Sequence, residues 1–417
     1  MTFPTLQALS IGERLRPPRV TGLADPSEAK PVPPSADVAV VGAGIIGLSI
    51  AWRLARRGLA VAVFDRGAAG DGASFAATGM LAAAAELEPG GEDLLALCLE
   101  SQRLWPAFRD DLEAASGIPI DYRDEGTLLV ALGREEVERL RFRHDLQSRA
   151  GLSARWVSGP EARAIEPGLR PAVTAGIFCP DDHQVDPRCV IPALRQALLK
   201  SGGVLVENAP AVIDQAGGRI AGVQVGDRFC RAPVVVMATG AWTASEDVLP
   251  VGLTVPVHPL KGQALALRTD QRLPALTHVV WTEDVHLAPK ADGRLIVGAT
   301  VEERGFDAAV TAGGLYALLE GARRALPSIE EMEVEAVWTG FRPTSDDDAP
   351  IIGAMPLGGL LIATGHHRNG VLLAPVTAKA VEDLVTCDEA SGAAVGFAID
   401  RFQSGGSIQT ENHGGFR

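Results

Sequence analysis

Short unbroken apolar runs alternate along this chain with longer stretches in which apolar residues recur every three or four positions. Val38–Val41, AVAVF at 60–64 and Val234–Ala238 are of the first kind, and each reads as a strand buried on both faces. Between the first two, residues 45–57 carry Ile46, Ile50 and Leu54 on one stripe, which predicts a helix that Gly58 ends. Residues 92–115 and 134–150 also read as helices, the first with Leu94, Leu97, Leu104, Phe108 and Leu112 on one side. TVPVHPLKGQALALRTD (254–270) and VHLAPKADGRLIVGATV (285–301) nearly alternate, and ADG at 291–293 supplies a hairpin turn between strands.

The junction of the first strand and helix is where chemistry enters. Gly42, Gly44 and Gly47 stand as G-x-G-x-x-G after the strand and open the helix. Gly42 permits a tight turn, Gly44 lets a pyrophosphate approach the backbone, and Gly47 lets helix and strand pack closely. The helix start, with Ile45 and Ile46, offers free N–H groups and partial positive charge to phosphates. Asp65 ends the second strand 23 residues after Gly42, near the usual separation of about 20 for an acid that holds ribose hydroxyls. The pattern defines a dinucleotide site without separating NAD from FAD.

Composition narrows the function from outside. Asp plus Glu number 52 against 38 Lys plus Arg, a formal charge of −14 that repels nucleic acid and anionic lipid at long range. The five cysteines form no C-x-x-C pair and suit a reducing compartment, and no apolar run reaches the ~20 residues of a membrane span. A cytoplasmic location is expected. Residues 1–35, with PVPP at 31–34 and no apolar signal core, read as a flexible extension.

Several further stretches resemble one family. They are ASFAATGML (73–81), GTLLVA (126–131), EARAIEPGL (161–169), QVDPR (184–188), ATGAW (238–242), PLKGQ (259–263), GRLIVGATVEERGFD (293–307), WTGFRPTSDDDAPIIG (338–353) and GHHRNGVLLAPVTA (365–378). Together with the glycine fingerprint they resemble the D-amino-acid-oxidase-type FAD-dependent oxidoreductases, and within them the glycine oxidase branch of thiamine biosynthesis. The resemblance spans about 36 to 402. It implies an α/β plus β architecture: a Rossmann-type FAD-binding domain with an inserted, mostly antiparallel substrate-binding domain. The expected division gives 36–90, 155–245 and 336–402 to the FAD-binding part and 91–154 and 246–335 to the substrate part, with 403–417 as a tail.

The resemblance also implies a residue set. Noncovalent FAD would meet Gly42, Gly44, Ile45, Ile46, Gly47, Asp65 and Arg66 at the fingerprint. It would meet Ala73, Ser74, Thr78, Gly79 and Met80 in the small-residue stretch, Ala211 and Val212 after ENAP, and Thr239 and Gly240 in ATGAW. Gly365, His366, His367, Asn369, Gly370, Val371 and Leu372 would border it at the other end, where a helix is expected to begin near Val371. No cysteine falls in 340–350, the segment used for covalent flavin attachment in sarcosine oxidases of the family. No metal site is expected, because His366 and His367 are adjacent rather than at ligand spacing.

Arg342, in GFRP, matches the family's carboxylate-binding arginine, a fork suited to two oxygens, with Trp338, Phe341 and Pro343 restricting the site around it. Arg368 matches a position on the substrate side. HLAPK at 286–290 departs from the relatives' Y-x-x-P-R, so His286 stands for a carboxylate-binding tyrosine and Lys290 for an arginine. The implied reaction is oxidation of glycine, another small amino acid or a secondary amine to an imine and then an oxo-acid, with dioxygen as acceptor and hydrogen peroxide released. The flavin does the chemistry and no protein acid or base is assigned. Two alternatives remain open: a dehydrogenase with another acceptor, like the flavin subunit of hydrogen cyanide synthase, and a flavin-binding scaffold. Family members are often tetramers, so a homo-oligomer is compatible with the resemblance.

Overall fold

The computed structural model describes residues 31–269, 276–387 and 392–402. Most of the expected N-terminal extension and all of 403–417 lie outside the described residues. Strand Val38–Val41 is buried along its whole length, as its run of apolar residues requires. It pairs in parallel with Val61–Phe64 on one side and Val234–Met237 on the other. Val204–Val206 and Leu360–Thr364 extend this parallel sheet outward, and Ile351–Ala354 closes one edge antiparallel.

Each face of the six-stranded sheet has its own cover. Helices Ile45–Arg56, Glu92–Ser116, Pro187–Lys200 and Ala374–Cys387 bury their apolar sides in one cluster that includes Val40, Val63 and Ile352. Alternate strand residues, Ala39, Phe64 and Met237 among them, point the other way into a cluster with Ile213, Val223 and Cys230. Those three belong to a small antiparallel sheet of Val212–Ala216, Arg219–Val225 and Arg228–Arg231.

The second large sheet has eight strands. In order they are Glu333–Ser345, Val257–Arg268, Arg294–Gly298, His286–Pro289, Val279–Trp281, Thr127–Ala131, Ala175–Cys179 and Arg155–Ser158. Every pairing is antiparallel except that of Val279–Trp281 with Thr127–Ala131. The ADG turn forms as expected, with Lys290 N–H donating to the Arg294 carbonyl at 2.8 Å and Gly293 at φ +87°.

Two segments assigned on sequence to the cofactor part, 155–158 and 175–179, hydrogen-bond into this second sheet. Conversely, helix Glu92–Ser116 packs among the helices of the six-stranded sheet. Apolar pattern gives a strand its buried face but not the sheet that buries it, and that is where the expected boundaries depart from the structure.

Candidate active site

A cavity of about 1820 Å³ runs between the two large sheets. Small-molecule pockets usually occupy roughly 300–1,000 Å³, so this one has room for a dinucleotide and a small substrate together.

The fingerprint forms the wall at one end. Gly42 has φ +107°, and a β-carbon there would strike the Ala238 carbonyl; one on Gly47 would strike the carbonyl of Gly42. Gly47 therefore does its work behind the wall, by letting helix meet strand. Gly44 is bounded on its open side by the Ser74 hydroxyl, which also accepts the Ile45 N–H at 2.9 Å. The cradle is free of side chains where a pyrophosphate would need it to be, and this carries the fit to a dinucleotide. Asp65 accepts N–H bonds from Ala43 (2.6 Å) and Gly67 (2.9 Å). Burial raises its pKa, and those two donors pull the other way. Arg66 lies over the Trp242 ring, 3.9 Å from its centroid.

Ile46, Ala73, Thr78, Gly79, Met80, Ala211, Val212, Thr239 and Gly240 also line the cavity. Gly79 has φ +86°, and a β-carbon would strike the Val185 carbonyl, so this stretch presses flat against its neighbour.

The histidine loop borders the opposite end, with His366, His367, Arg368, Gly370 and Val371 in the wall. Gly365, Asn369 and Leu372 stand behind it. The helix begins at Ala374 and not near Val371. Pro375 has no N–H to donate to the Val371 carbonyl. The Leu372 carbonyl is taken from the side by Ser101 Oγ (2.6 Å) and Trp105 Nε1 (2.8 Å), while Val376 N–H turns to Ser101 Oγ at 3.3 Å. A turn, 370–373, thus stands where the first helical turn was expected. Neither histidine is a cation at neutral pH. Burial lowers His366 to about 3, with its Nε2 bonded to Thr377 Oγ1 at 3.0 Å. Burial lowers His367 to about 4 against the pull of Asp348, 3.0 Å from its Nδ1.

Two arginines share the substrate end. Arg342, on strand Glu333–Ser345, is half-buried, and its Nη1 donates to the carbonyls of Thr300 (3.1 Å) and Lys261 (3.4 Å). Among the described residues it forms no ion pair; Asp347, close in sequence, pairs with Arg401 at 2.8 Å instead. Burial lowers the Arg342 pKa, Glu86 opposing. Arg368 differs: its Nε lies 2.8 Å from Glu86 Oε2, and an Nη2 approaches Glu88 Oε1 at 3.5 Å. Phe341 and Pro343 line the cavity beside Arg342, whereas Trp338 stands behind, its Nε1 donating to the Ala76 carbonyl at 3.1 Å.

His286 lines the cavity with a buried Nε2 that has no hydrogen-bond partner, and burial lowers its pKa to about 3. A β-carbon on Gly298, its partner across the strands, would lie 2.6 Å from that nitrogen. Lys290 faces away from the substrate end, donating to the Val185 carbonyl (2.8 Å) and Gln184 Oε1 (3.1 Å). Sequence reasoning missed Glu86; its only signal was a lone acid closing the alanine run 82–85.

A parallel sheet with a glycine-rich dinucleotide turn, opening on a chamber lined by arginine, defines a dinucleotide-dependent oxidoreductase. The model of the FAD dependent oxidoreductase family DAO matches residues 37–384, and the chain belongs to that family, with FAD as its cofactor. It is 35% identical over 378 residues to a glycine oxidase of Geobacillus kaustophilus (strain HTA426), an alignment covering 88% of this chain and 97% of that one. The crystal structure of glycine oxidase from Geobacillus kaustophilus superposes with a TM-score of 0.83, covering 88% of this chain and 99% of that one. The bifunctional protein ThiO/ThiG of Trichormus variabilis is 34% identical over 374 residues, 88% of this chain and 55% of its own length. Hydrogen cyanide synthase subunit HcnC of Pseudomonas aeruginosa is 30% identical over 390 residues, 84% of this chain and 92% of that protein. Among the described residues no helix is long and apolar enough to cross a membrane.

Proposed function

We propose that the chain oxidises the amine of glycine or another small amino acid or secondary amine to an imine, which water hydrolyses to an oxo-acid. The carrying observation is Arg342, a half-buried guanidinium with no carboxylate ion-pair partner among the described residues, opening on the same cavity as the dinucleotide cradle. Such a group is the receptor a substrate carboxylate needs. Bound FAD supplies the hydride acceptor and, with dioxygen as the final oxidant, yields hydrogen peroxide.

The protein's task is placement. Arg342 would hold the carboxylate, with its own direction set by the Thr300 and Lys261 carbonyls. His286, neutral at working pH, lines the chamber at the position the resemblance gives to tyrosine. Phe341 and Pro343 narrow the chamber. The relation to glycine oxidases supports this reading over a scaffold, and the ThiO/ThiG relative supports a place in thiamine thiazole synthesis. A cytoplasmic location, dioxygen as acceptor and assembly of identical chains belong to the same reading.

Anaerobic addition of glycine to the holoenzyme should bleach the flavin, and Arg342→Ala should weaken the substrate's apparent affinity. No bleaching with glycine, sarcosine, D-alanine or proline would sink the reading. Slow reoxidation of the reduced enzyme by air would transfer it to a dehydrogenase with another acceptor.

A further inference from the structure

We propose that Glu86 sets the charge of the substrate chamber, so that it accepts one carboxylate and turns away a second. The inference rests on the reading of Arg342 as the carboxylate receptor. Arg342 and Arg368 line the same cavity, and Glu86 lines it with them. Left alone, two guanidinium groups would make the chamber a site for dicarboxylates. Glu86 prevents this: its Oε2 lies 2.8 Å from Arg368 Nε, and its backbone carbonyl accepts from Arg368 Nη2 at 3.1 Å. The side chain of Glu86 is 7% exposed and that of Glu88 is 49% exposed, so screening leaves Glu86 as the effective counter-ion. Arg143, which lines the same cavity, is matched by Glu88 at 3.1 Å; Arg342, Arg368 and the buried Glu86 carboxylate then leave a single net positive charge, matched by one substrate carboxylate.

The position of Glu86 is built into the fold. It closes a helical turn in which its N–H donates to the Ala82 carbonyl at 3.0 Å. Buried Asp182 accepts the N–H groups of Ala84 (3.0 Å) and Ala85 (3.1 Å) and holds the turn from below. Burial raises the Glu86 pKa, against the pull of Arg368 and Arg342; burial opposes the charge of Arg368 too, but Glu86 and Glu88 outweigh it and raise that pKa. The ion pair is the state that the 2.8 Å geometry supports. Glu86 is thus a positioning residue, selecting monocarboxylic amines through Arg368.

The test measures binding of acetate and malonate to holoenzyme by perturbation of the flavin spectrum, without turnover. Glu86→Gln should shift the malonate-to-acetate affinity ratio toward malonate by about tenfold, the scale of one partly buried charge pair. Glu86→Asp should restore the wild-type ratio, and adding Arg368→Gln to Glu86→Gln should abolish the shift, neither of which a merely structural role would produce. An unchanged ratio in folded Glu86→Gln overturns the inference. If that variant does not hold FAD, Arg368→Gln decides: Glu86, left without its partner beside Arg342, should weaken acetate binding, and unchanged binding overturns the inference. A ratio that shifts in an enzyme whose flavin no amine reduces would leave this inference standing while removing the oxidase reading.

Discussion

The guanidinium of Arg342 lies against the backbone of Gly262, with Nη1 2.6 Å and Nη2 2.9 Å from the point where a β-carbon on that glycine would sit. The two residues are on neighbouring strands, Gly262 opposite Gly340 and Leu260 opposite Arg342. The absent side chain is what leaves the arginine its place at the cavity wall.

Gly262→Ala separates fold from site. The obstacle to the new methyl is the far end of a flexible side chain rather than backbone, so stability should change by less than about 1 kcal/mol. The guanidinium must move, however, and lose its bonds to Thr300 and Lys261. The apparent affinity for substrate or acetate should fall about tenfold or more, a cost of ~1.4 kcal/mol or above. Thermal unfolding and a flavin-absorbance titration on the same sample check both halves. A variant that melts early and binds acetate normally would reverse the argument.

The second and third fingerprint glycines should fail differently. A methyl on Gly47 meets the carbonyl of Gly42, backbone that cannot yield, so Gly47→Ala should destabilise the protein by several kcal/mol, on the order of other overpacked cores. A methyl on Gly44 meets only the Ser74 hydroxyl at 3.2 Å. Gly44→Ala should therefore fold and lose FAD, because the methyl occupies the pyrophosphate's approach. Comparing the unfolding midpoint of apoprotein with flavin content after dialysis distinguishes the two.

The fingerprint was readable because each of its steps is local: an apolar run, a turn that only glycine can make, a periodic stripe, an acid ending the next strand. The ADG hairpin was readable for the same reason. Glu86 was not, since its meaning comes from Arg368, 282 positions away. The charge of the adjacent histidines depends on burial, which sequence does not carry; inside the fold burial keeps both neutral. The helix start was misplaced by three residues because Ser101, from a distant helix, takes the Leu372 carbonyl. The sheet membership of 155–158 and 175–179 likewise depends on partners that pattern does not name.

Ser101 gives that misplacement a measurable form. Its hydroxyl donates to the Leu372 carbonyl and accepts from Val376 N–H, bridging the gap in the backbone ladder before the last long helix. Ser101→Ala leaves the buried Val376 N–H without this acceptor and should cost ~1–3 kcal/mol. Trp105 Nε1 still serves the carbonyl, so the fold should survive. Urea unfolding reads the loss. A cost near zero would mean that the bridge is replaceable and that Pro375 alone sets the start of the helix.

The pH dependence of stability follows from groups whose shifts oppose one another. Burial depresses His286 and His366 to about 3 and His367 to about 4, from an ordinary value of 6.5. The folded state keeps them neutral while the unfolded chain protonates them, so their contribution is full above pH 6.5 and is lost as pH falls toward 4. Each adds a slope of up to ~1.4 kcal/mol per pH unit. Asp182 acts in the opposite sense: burial raises it to about 7 from 3.8, despite its two N–H donors, so the folded state binds its proton more readily. Its contribution is full below pH 3.8 and declines as pH rises toward 7. Asp65, Glu86 and Asp121, also raised by burial, act with Asp182, while His183, lowered by burial, and Asp292 and Asp347, lowered against burial by their arginine partners, act with the three histidines. With the largest depressions on the histidine side, the unfolding midpoint should fall as the solution is acidified from pH 6.5 to 4. Asp182→Asn removes one opposing contribution and should steepen that fall, while His366→Gln should flatten it. A midpoint that rises on acidification between pH 6.5 and 4 would show that the histidines gain protons within the folded protein and are not held neutral by their burial.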